Sequence, residues 1–379
     1  MLGLYIHIPF CVSKCNYCDF NSYKVDKSSK ERYLKDLEKE IRLYKNEIKV
    51  NNIEGISSVF VGGGTPSILT CEEIFKLFDI IKENFKIKED AEITMECNPG
   101  TLTKEKLTTM KTVGVNRLSI GLQAVQDYHL KSIGRVHSYD EFEKNYKEAL
   151  DVGFENINVD LMYALPNQKF EDWKESLQKI VTLNPSHISA YSLILEEGTT
   201  LHDMYERNEF KMIDEDTDIK MYNYTINYLK ENGYNQYEIS NYSKEHFECR
   251  HNILYWKCEQ YIGVGPGASG YIGDYRYNNI EGLKEYHEKL ERNEKPIENI
   301  EKLSIEDKIQ EKIFMGLRMN EGIMFEDFQK EFNIDFKEKY RKEIERLKGR
   351  ELINENITGI RLTQRGREIS NSIFIEFIN

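Results

Sequence analysis

The chain has 379 residues and a hydrophobic content of 40%, which predicts a folded protein with one large α/β unit and a smaller second domain. Its formal net charge of −13 argues against general binding of polyanions, and its seven cysteines, an odd number in a long chain, argue against a disulfide framework. No apolar run approaches the roughly 18 residues of a membrane span and no export signal is visible, so we expect a cytoplasmic protein without a transmembrane segment.

Strand-like apolar runs recur along the first two thirds of the chain, and most of them precede a helical pattern. The pattern over residues 30–48 repeats apolar side chains at spacings of three or four, and Thr70 with Glu73 predicts a capping box for the next helix. Repeated strand–helix units predict a parallel sheet with right-handed crossovers, either open or curled into a barrel. The six strand-like runs are 4–10, 58–64, 92–97, 117–123, 157–165 and 187–195.

Polar or glycine residues gather at the carboxyl ends of several predicted strands, which favours the barrel. In α/β barrels the ligands bind at that end of the strands, whereas an open sheet binds mainly at one switch point. Chemistry distributed over five strand ends therefore predicts a site in the mouth of a barrel. These positions are Cys11 onward, 62–65, Glu96 with Asn98, Gln123 and Asp160.

The character of the sequence changes after about residue 290. The charged segment 294–308 carries no strand signal and predicts a linker that enters a helix. Helical patterns then precede a predicted hairpin at 353–366, and this order predicts a winged-helix-like domain. Seven Lys or Arg stand against three Glu in residues 337–350, but the acidic chain as a whole favours a solvated helix face over DNA binding. The helical patterns lie near 304–318, 324–332 and 337–350.

Three of the seven cysteines, Cys11, Cys15 and Cys18, form a C-x3-C-x2-C motif directly after the first strand. Thiolates at this spacing can hold a soft metal ion or an iron–sulfur cluster. A structural zinc site needs four ligands, and His7 on the preceding strand is a candidate for the fourth. A buried cluster of thiols is the remaining alternative.

With Tyr17 just before its last cysteine, and with VGGGTP (61–66) one strand later, this motif resembles the signature of the radical SAM superfamily. The resemblance implies a [4Fe–4S] cluster on Cys11, Cys15 and Cys18, with one open iron that binds S-adenosylmethionine (SAM). Glycines allow close approach of backbone N–H groups to a ligand. In the superfamily, such glycines contact the amino group of the methionine moiety.

The resemblance narrows to the oxygen-independent coproporphyrinogen III oxidase family and to its haem chaperone branch, HemW. It covers residue 4 to about residue 275 and implies a partial (β/α)6 radical SAM barrel over 1–290 and a winged-helix-like domain over 291–379. Matching segments follow one another in the family's order. They are YIHIPFC, FVGGGTPS, ECNPGTL, RLSIGLQ, GRVHS, VDLMYALP, YEISNYS, CRHNILYW and GVGPGASG.

Two features distinguish the branches. The decarboxylating branch carries a fourth cysteine two residues after the third, and this chain has Phe20 there. The segment RHNILYW (250–256) looks like the H-N-x-x-Y-W element of the chaperone branch. We therefore expect a protein that binds haem and transfers it to an acceptor protein. The alternative is radical decarboxylation of coproporphyrinogen III to protoporphyrinogen IX.

The 250–256 segment suits haem chemically, because His is a usual axial ligand and aromatic rings offer flat apolar area to a porphyrin. His251 is the expected ligand, and a core histidine beside packed aromatics is the plainer alternative. Cys249 and Cys258 flank the segment, either as thiolate ligands or as buried apolar residues.

The resemblance also assigns roles at the barrel mouth, and it implies an electron donor for the cluster while leaving open whether SAM is cleaved in turnover. Residues implied to contact the cluster-bound SAM are Tyr5, Gly63 and Glu96. Counterparts of a second SAM site are Gly64, Thr65, Gln123, Arg135 and Asp160. For ligand recognition, Glu96 and Asp160 suit a hydroxyl or amine group, and Arg135 suits a carboxylate.

Overall fold

The structure is a computed structural model that describes residues 1–50 and 54–377. Strands and helices mostly alternate through the first 192 residues, and mostly shorter strands and helices follow. The strands are β1 (Leu2–Ile8), β2 (Phe10–Cys11), β3 (Tyr23–Lys24), β4 (Ile56–Gly63), β5 (Ile87–Cys97), β6 (Arg117–Gln123), β7 (Asn156–Tyr163), β8 (His187–Ser192), β9 (Asn235–Gln236), β10 (Asn241–Ser243), β11 (Gln260–Val264), β12 (Ser269–Ile272), β13 (Tyr275–Asn279), β14 (Ile297–Lys302), β15 (Ile323–Met324), β16 (Ile353–Glu355) and β17 (Gly359–Leu362). The helices are α1 (Lys27–Val50), α2 (Cys71–Asn84), α3 (Lys104–Val113), α4 (Asp127–Ser132), α5 (Tyr139–Asp151), α6 (Phe170–Leu183), α7 (Thr200–Glu206), α8 (Glu215–Glu231), α9 (Arg250–Trp256), α10 (Leu283–Glu291), α11 (Ile305–Arg318), α12 (Phe325–Phe332), α13 (Phe336–Lys339), α14 (Arg341–Gly349), α15 (Gln364–Glu368) and α16 (Ser370–Ile375).

Six parallel strands, β1 and β4 to β8, lie side by side in sequence order within a twelve-stranded sheet. A doubly wound sheet would reverse this order at a switch point, whereas a barrel keeps one direction throughout. β11 adds a parallel strand on the other side of β1, and β12 to β14 continue from it as an antiparallel meander. The predicted parallel array in barrel order is therefore confirmed.

Local signals explain where the first helices begin. Thr70 accepts from the backbone N–H of Glu73 at 3.2 Å, and Glu73 accepts from the backbone N–H of Thr70 at 2.8 Å. This reciprocal capping box fixes the start of α2, and a cap of this kind contributes about 0.5–2 kcal/mol. The same arrangement at Ser138 and Glu141 starts α5. The capping box at Thr70 and Glu73 was predicted from the sequence and is confirmed.

Two hydrophobic cores divide the chain. The first joins the barrel strands to their helices, and all seven residues of β6 are buried in it. The second core, which includes Ile313 and Phe328, is formed by α11 to α16 and the strands between them. β16 and β17 form the predicted hairpin, and β15 adds a third strand on the other side of β17. A helical domain with a small wing therefore follows the barrel.

The prediction of a linker at 294–308 is wrong, because this segment contains β14, which pairs with β13. β14 is an edge strand whose side chains after Ile297 are all exposed, so no apolar alternation marks it in the sequence. The predicted domain boundary at residue 290 falls inside α10. We propose that the second domain begins after Lys302.

The basic segment 337–350 forms α13 and α14 at the surface of the second domain. Four of its seven basic side chains pair with glutamates, which indicates a charge-paired, solvated helix face. The pairs are Lys337 and Lys348 with Glu355, and Arg346 and Arg350 with Glu376. Within residues 1–50 and 54–377, no helix has both the length and the apolar character that a membrane crossing needs.

Candidate functional site

The cysteine motif begins with Cys11 at the end of β2 and continues on the loop to β3, and these two short strands pair in parallel after β1. Cys11 is buried, and its Sγ accepts a hydrogen bond from Thr65 Oγ1 at 3.4 Å. The half-buried Cys15 accepts from Arg135 Nη1 at 3.6 Å, and Cys18 donates its backbone N–H to the carbonyl of Cys15 at 3.2 Å. Burial raises the pKa of the Cys18 thiol to about 11, so it is protonated in the absence of a metal.

The three cysteines line a cavity of about 130 Å³ at the carboxyl ends of the barrel strands. We call this cavity the cysteine cavity. It is lined by ten of the twelve residues predicted from the sequence to bind a cofactor or metal. Tyr5 and His251 lie elsewhere, as described below. The ten residues are Cys11, Cys15, Cys18, Gly63, Gly64, Thr65, Glu96, Gln123, Arg135 and Asp160.

Glycine is required on the wall that β4 contributes. Gly63 has a φ of +107°, and a Cβ there would lie 2.6 Å from the His7 ring. A Cβ on Gly64 would lie 2.8 Å from the carbonyl oxygen of Phe10. Neither position has room for a side chain, so the bare backbone of β4 forms the surface that a ligand meets.

Two half-buried carboxyl groups line the same cavity. Glu96 Oε2 accepts from the backbone N–H of Gly63 at 3.0 Å, and burial, followed by repulsion from Asp160, raises the pKa of Glu96 to about 8. Burial also raises the pKa of Asp160, although hydrogen bonds from Asn158 Nδ2 at 2.7 Å and Ser119 Oγ at 3.3 Å oppose that shift. A cationic amine on a ligand would favour the ionised form of these carboxyl groups.

Arg135 contacts both the cysteine motif and the end of β6, and its expected pairing with a ligand carboxylate stays a prediction. Its Nη2 donates to Asn98 Oδ1 at 2.9 Å and also to the carbonyl oxygen of Gly121, while Nη1 points to the Cys15 sulfur. Its Nε is buried and has no hydrogen-bond partner within the part of the chain that the structure describes. A guanidinium beside a cysteine favours the thiolate, which is the form that binds metal.

Gln123 lines the cysteine cavity and has a strained backbone conformation. Its φ is +76°, which is uncommon for a residue other than glycine, and the ladder between β6 and β7 shifts register at this point. Strained backbone of this kind concentrates at functional sites, where the surrounding structure holds it in place. The strain at Gln123 therefore marks the end of β6 as part of the site.

Sequence reasoning missed Ser119 and Arg117, which lie on the same face of β6 as Gln123. Ser119 lines the cysteine cavity, and Arg117 is fully buried deeper in the barrel. A signal was present, because β6 carries a polar residue or glycine at every second position from 117 to 123. In a strand buried on both faces, such a row indicates the inward side of a barrel.

The donor set fits an iron–sulfur cluster. His7, the candidate fourth zinc ligand, has both ring nitrogens engaged, with the Tyr5 hydroxyl at 3.0 Å and the carbonyl of Asn21 at 2.8 Å. Among the described residues, no three His, Cys, Asp or Glu side chains stand close enough to share one metal ion. In a four-iron cluster each thiolate binds a different iron, so the three sulfurs need not meet at one point.

Tyr5 lines a second and larger cavity of about 600 Å³, on the other side of the cysteine loop. Its hydroxyl lies 3.0 Å from His7 Nδ1, and burial, together with repulsion from Glu96, raises its pKa. Phe20 lines both cavities, so it stands between the two. We call this space the tyrosine cavity, because Tyr5, Tyr255, Tyr261 and Tyr271 line it.

His251 lies in the core of the barrel, with 1% of its surface exposed. Its Nδ1 is 2.9 Å from Ser58 Oγ, its Nε2 is 2.9 Å from the Tyr255 hydroxyl, and its ring stacks on Phe60 at a centroid distance of 5.2 Å. Burial, followed by repulsion from Arg117, lowers its pKa to about 3. This position agrees with the plainer alternative from the sequence analysis, in which His251 is a core histidine and not an iron ligand.

The start of α9 explains why His251 points inward. The carboxylate of Glu92 accepts the backbone N–H groups of Arg250 and His251, each at 3.0 Å, and so fixes the first turn of the helix against β5. Both ring nitrogens of His251 are engaged in this conformation, so ligation of haem iron by His251 stays a prediction.

Comparisons with known proteins agree with this architecture. The chain matches the model of the Radical SAM superfamily over residues 5–180 and that of the HemN C-terminal domain over residues 303–369. Among solved structures, coproporphyrinogen III oxidase (HemN) from Escherichia coli aligns with a TM-score of 0.84 and 23% identity, covering 100% of this chain and 90% of that one. At this identity the likeness shows the fold alone, and it confirms the predicted radical SAM barrel with a C-terminal domain.

Two curated relatives are similar over nearly their whole length. The protein named Heme chaperone HemW from Lactococcus lactis subsp. lactis (strain IL1403) is 36% identical over 374 residues, which cover 99% of this chain and 96% of that protein. The protein of the same name from Bacillus subtilis (strain 168) is 35% identical over 379 residues, which cover 100% of this chain and 99% of that one. The chain therefore belongs to the HemW family of radical SAM proteins.

Proposed function

We propose that this protein is a haem chaperone, which binds haem and transfers it to an acceptor protein. The observation that carries the proposal is the end-to-end similarity, at 35% and 36% identity, to two proteins named heme chaperone HemW. The likeness to coproporphyrinogen III oxidase, at 23% identity, supports a common fold and no common reaction.

The position of Phe20 supports the same choice. In the decarboxylating branch, the family resemblance places a fourth cysteine here, beside the cluster. In this chain the position carries an aromatic ring that is 58% exposed and lies at the border of the cysteine and tyrosine cavities. A thiol is therefore absent from the place where the oxidase branch has one, and an apolar surface replaces it.

The cysteine cavity is the proposed site for the cofactors. Cys11, Cys15 and Cys18 would hold a [4Fe–4S] cluster, with the Thr65 hydroxyl and the Arg135 guanidinium stabilising thiolate charge on Cys11 and Cys15. When bound, the cluster supplies an electron that can reach SAM.

SAM would lie against the glycine backbone of β4. Its methionine moiety would lie against the backbone of Gly63 and Gly64, and its ammonium group near the Glu96 carboxylate, which accepts the Gly63 N–H. The remaining residues of the cysteine cavity are available to a second SAM, as the resemblance implies. These are Thr65, Gln123, Arg135 and Asp160.

The proposed partners are haem, an acceptor protein for haem and an electron donor for the cluster. All seven cysteines of the chain are free, which suits a reducing compartment, and we propose that the protein acts in the cytoplasm. Free thiols next to the cluster site would be oxidised readily in an oxidising compartment.

One experiment separates chaperone from oxidase. The protein is loaded anaerobically with iron and sulfide, then incubated with SAM and a reductant, and offered coproporphyrinogen III in one arm and haem in the other. We expect a stable haem complex and unchanged coproporphyrinogen III. Formation of protoporphyrinogen IX at more than one equivalent per chain would overturn the proposal. A Cys15→Ala variant, prepared in the same way, controls for chemistry that does not depend on the cluster.

A further inference from the structure

The tyrosine cavity has the size and position of a binding site for a large flat ligand. Its volume of about 600 Å³ falls within the roughly 300–1,000 Å³ that is typical of small-molecule sites, whereas the cysteine cavity measures about 130 Å³. Several parts of the barrel domain and one helix of the second domain enclose it. They are β1 at Tyr5 and His7, residues 19–21 of the cysteine loop, the segments 255–261 and 267–271, Arg276 on β13 with Glu281 after it, and Met315 on α11.

Flat aromatic surface dominates the walls of this cavity. Tyr255 and Tyr261 meet edge to face at a centroid distance of 4.6 Å, and Tyr5 and Tyr271 add two further rings. Rings of this kind bury a large apolar area against a planar ligand at a small entropic cost. Tyr255 belongs to the 250–256 segment, so this segment contributes a cavity wall even though His251 turns into the core.

The cavity also contains a side chain suited to haem iron. His7 is engaged at both nitrogens, and burial raises the pKa of Tyr255, Tyr261 and Tyr271, which keeps their phenols neutral. Cys258 lies on the turn directly after α9, with its thiol free of any disulfide; burial raises the pKa of this thiol to about 12, but sulfur is a softer donor than a phenol oxygen. Cysteine thiolate is a strong axial ligand of haem iron, and a coordinated thiol releases its proton.

Arg276 supplies a cation for the acidic edge of such a ligand. It lines the cavity above the Tyr271 ring, 5.5 Å from the ring centroid, and pairs with Glu311. Its Nε is buried without a hydrogen-bond partner in the described part of the chain. The guanidinium would attract a propionate by its charge, in competition with Glu311. The carboxylates that line the cavity would repel propionates and so orient them towards Arg276; they are Asp19, Glu259 and Glu281.

We infer that haem binds in the tyrosine cavity, with its iron on Cys258 and a propionate on Arg276, and that His251 is a core residue. This inference rests on the proposed function and specifies the site where that function operates. On binding, the bond between iron and the Cys258 sulfur forms, the thiol proton leaves to solvent, and the oxidation state of the iron does not change. Haem in this position would lie next to Phe20 and thus beside the cluster loop.

Two variants of the full-length, cluster-loaded protein test the site. Ser269 lies two residues before Tyr271 on β12, on the same strand face, so Ser269→Trp fills the cavity with an indole ring. Cys258→Ala removes the thiol. We expect Ser269→Trp to raise the Kd for haem at least tenfold, and Cys258→Ala to abolish the spectrum of a thiolate-bound ferrous–CO complex. Iron content and SAM affinity should match the parent in both variants.

Cys71→Ala is the matched control, because Cys71 is another free, half-buried cysteine and lies at the start of α2. It should leave haem affinity and spectrum unchanged. Parent-level affinity in Ser269→Trp would overturn the assignment of the cavity, and an unchanged spectrum in Cys258→Ala would overturn the ligand. If the parent itself bound no haem, the proposed function would fail together with the inference. Haem binding by the parent and equally by both variants would refute the inference alone.

Discussion

Replacement of Gly63 by alanine tests whether the cofactor wall depends on the missing side chain. A Cβ at this position would lie 2.6 Å from the His7 ring, and the backbone has a φ of +107°. The left-handed conformation costs an alanine about 1–2 kcal/mol. Displacement of His7 also breaks its hydrogen bonds to Tyr5 and Asn21, each contributing about 0.5–1.5 kcal/mol. We expect a total loss of about 2–5 kcal/mol in the free energy of unfolding.

Gly153 offers a control for the backbone penalty alone. It has a φ of +93°, and a Cβ there would meet no atom within 4 Å, so Gly153→Ala should cost only about 1–2 kcal/mol. Urea unfolding of both variants isolates the steric contribution at Gly63. Calorimetric titration of the cluster-loaded proteins should show a Kd for SAM at least tenfold higher in Gly63→Ala and unchanged in Gly153→Ala. Equal unfolding free energies in the two variants, with parent-level SAM affinity, would refute the reasoning.

Three further predictions concern the cluster, a buried carboxyl and the second domain. Cys15→Ala should abolish the thiolate-to-iron absorbance and most of the bound iron, and full cluster content in this variant would contradict the ligand assignment. Because the folded pKa of Glu96 is about 8 against 4.5 ordinarily, its protonated form stabilises the fold at low pH and that contribution is lost as the pH rises to 8. In the cofactor-free protein, the stability of Glu96→Gln relative to the parent should therefore rise by up to roughly 1.4 kcal/mol for each pH unit between pH 5 and 8. A stability difference that does not change with pH would exclude this effect of Glu96 protonation. Glu355→Gln removes ion pairs with Lys337 and Lys348 and should cost about 1 kcal/mol or less, with the effect vanishing in 1 M salt.

Periodicity predicted the parts of the fold that bury apolar faces. The runs at β1, β4, β5, β6, β7 and β8 were visible because parallel strands carry nearly continuous apolar sequence. β14 was missed because its exposed side chains leave no alternation, and only pairing with β13 makes it a strand. Local sequence cannot specify such a pairing partner, because the partner strand lies elsewhere in the chain.

The site shows the same division between local and tertiary information. The cysteine spacing and the polar strand ends indicated where the cysteine cavity lies, and the family resemblance implied the roles of its other residues. The environment of His251 was not predictable, since Ser58 and Glu92, which hold it inward, lie more than 150 residues away. The hydrogen bonds that Arg135 donates to Asn98 and to the Cys15 sulfur were not predicted either. Complementary charge alone does not specify which acceptor lies within reach.

Transfer of haem out of the loaded protein tests the central claim most directly. One equivalent of haem is bound to the cluster-loaded chain, excess haem is removed, and apomyoglobin is added as a spectroscopically distinct acceptor. A haem chaperone should bind one haem per chain and then give it up, so that the spectrum of holomyoglobin appears while the iron–sulfur absorbance stays constant. Failure of the chain to bind haem, or permanent retention of bound haem while the acceptor stays empty, would contradict the account.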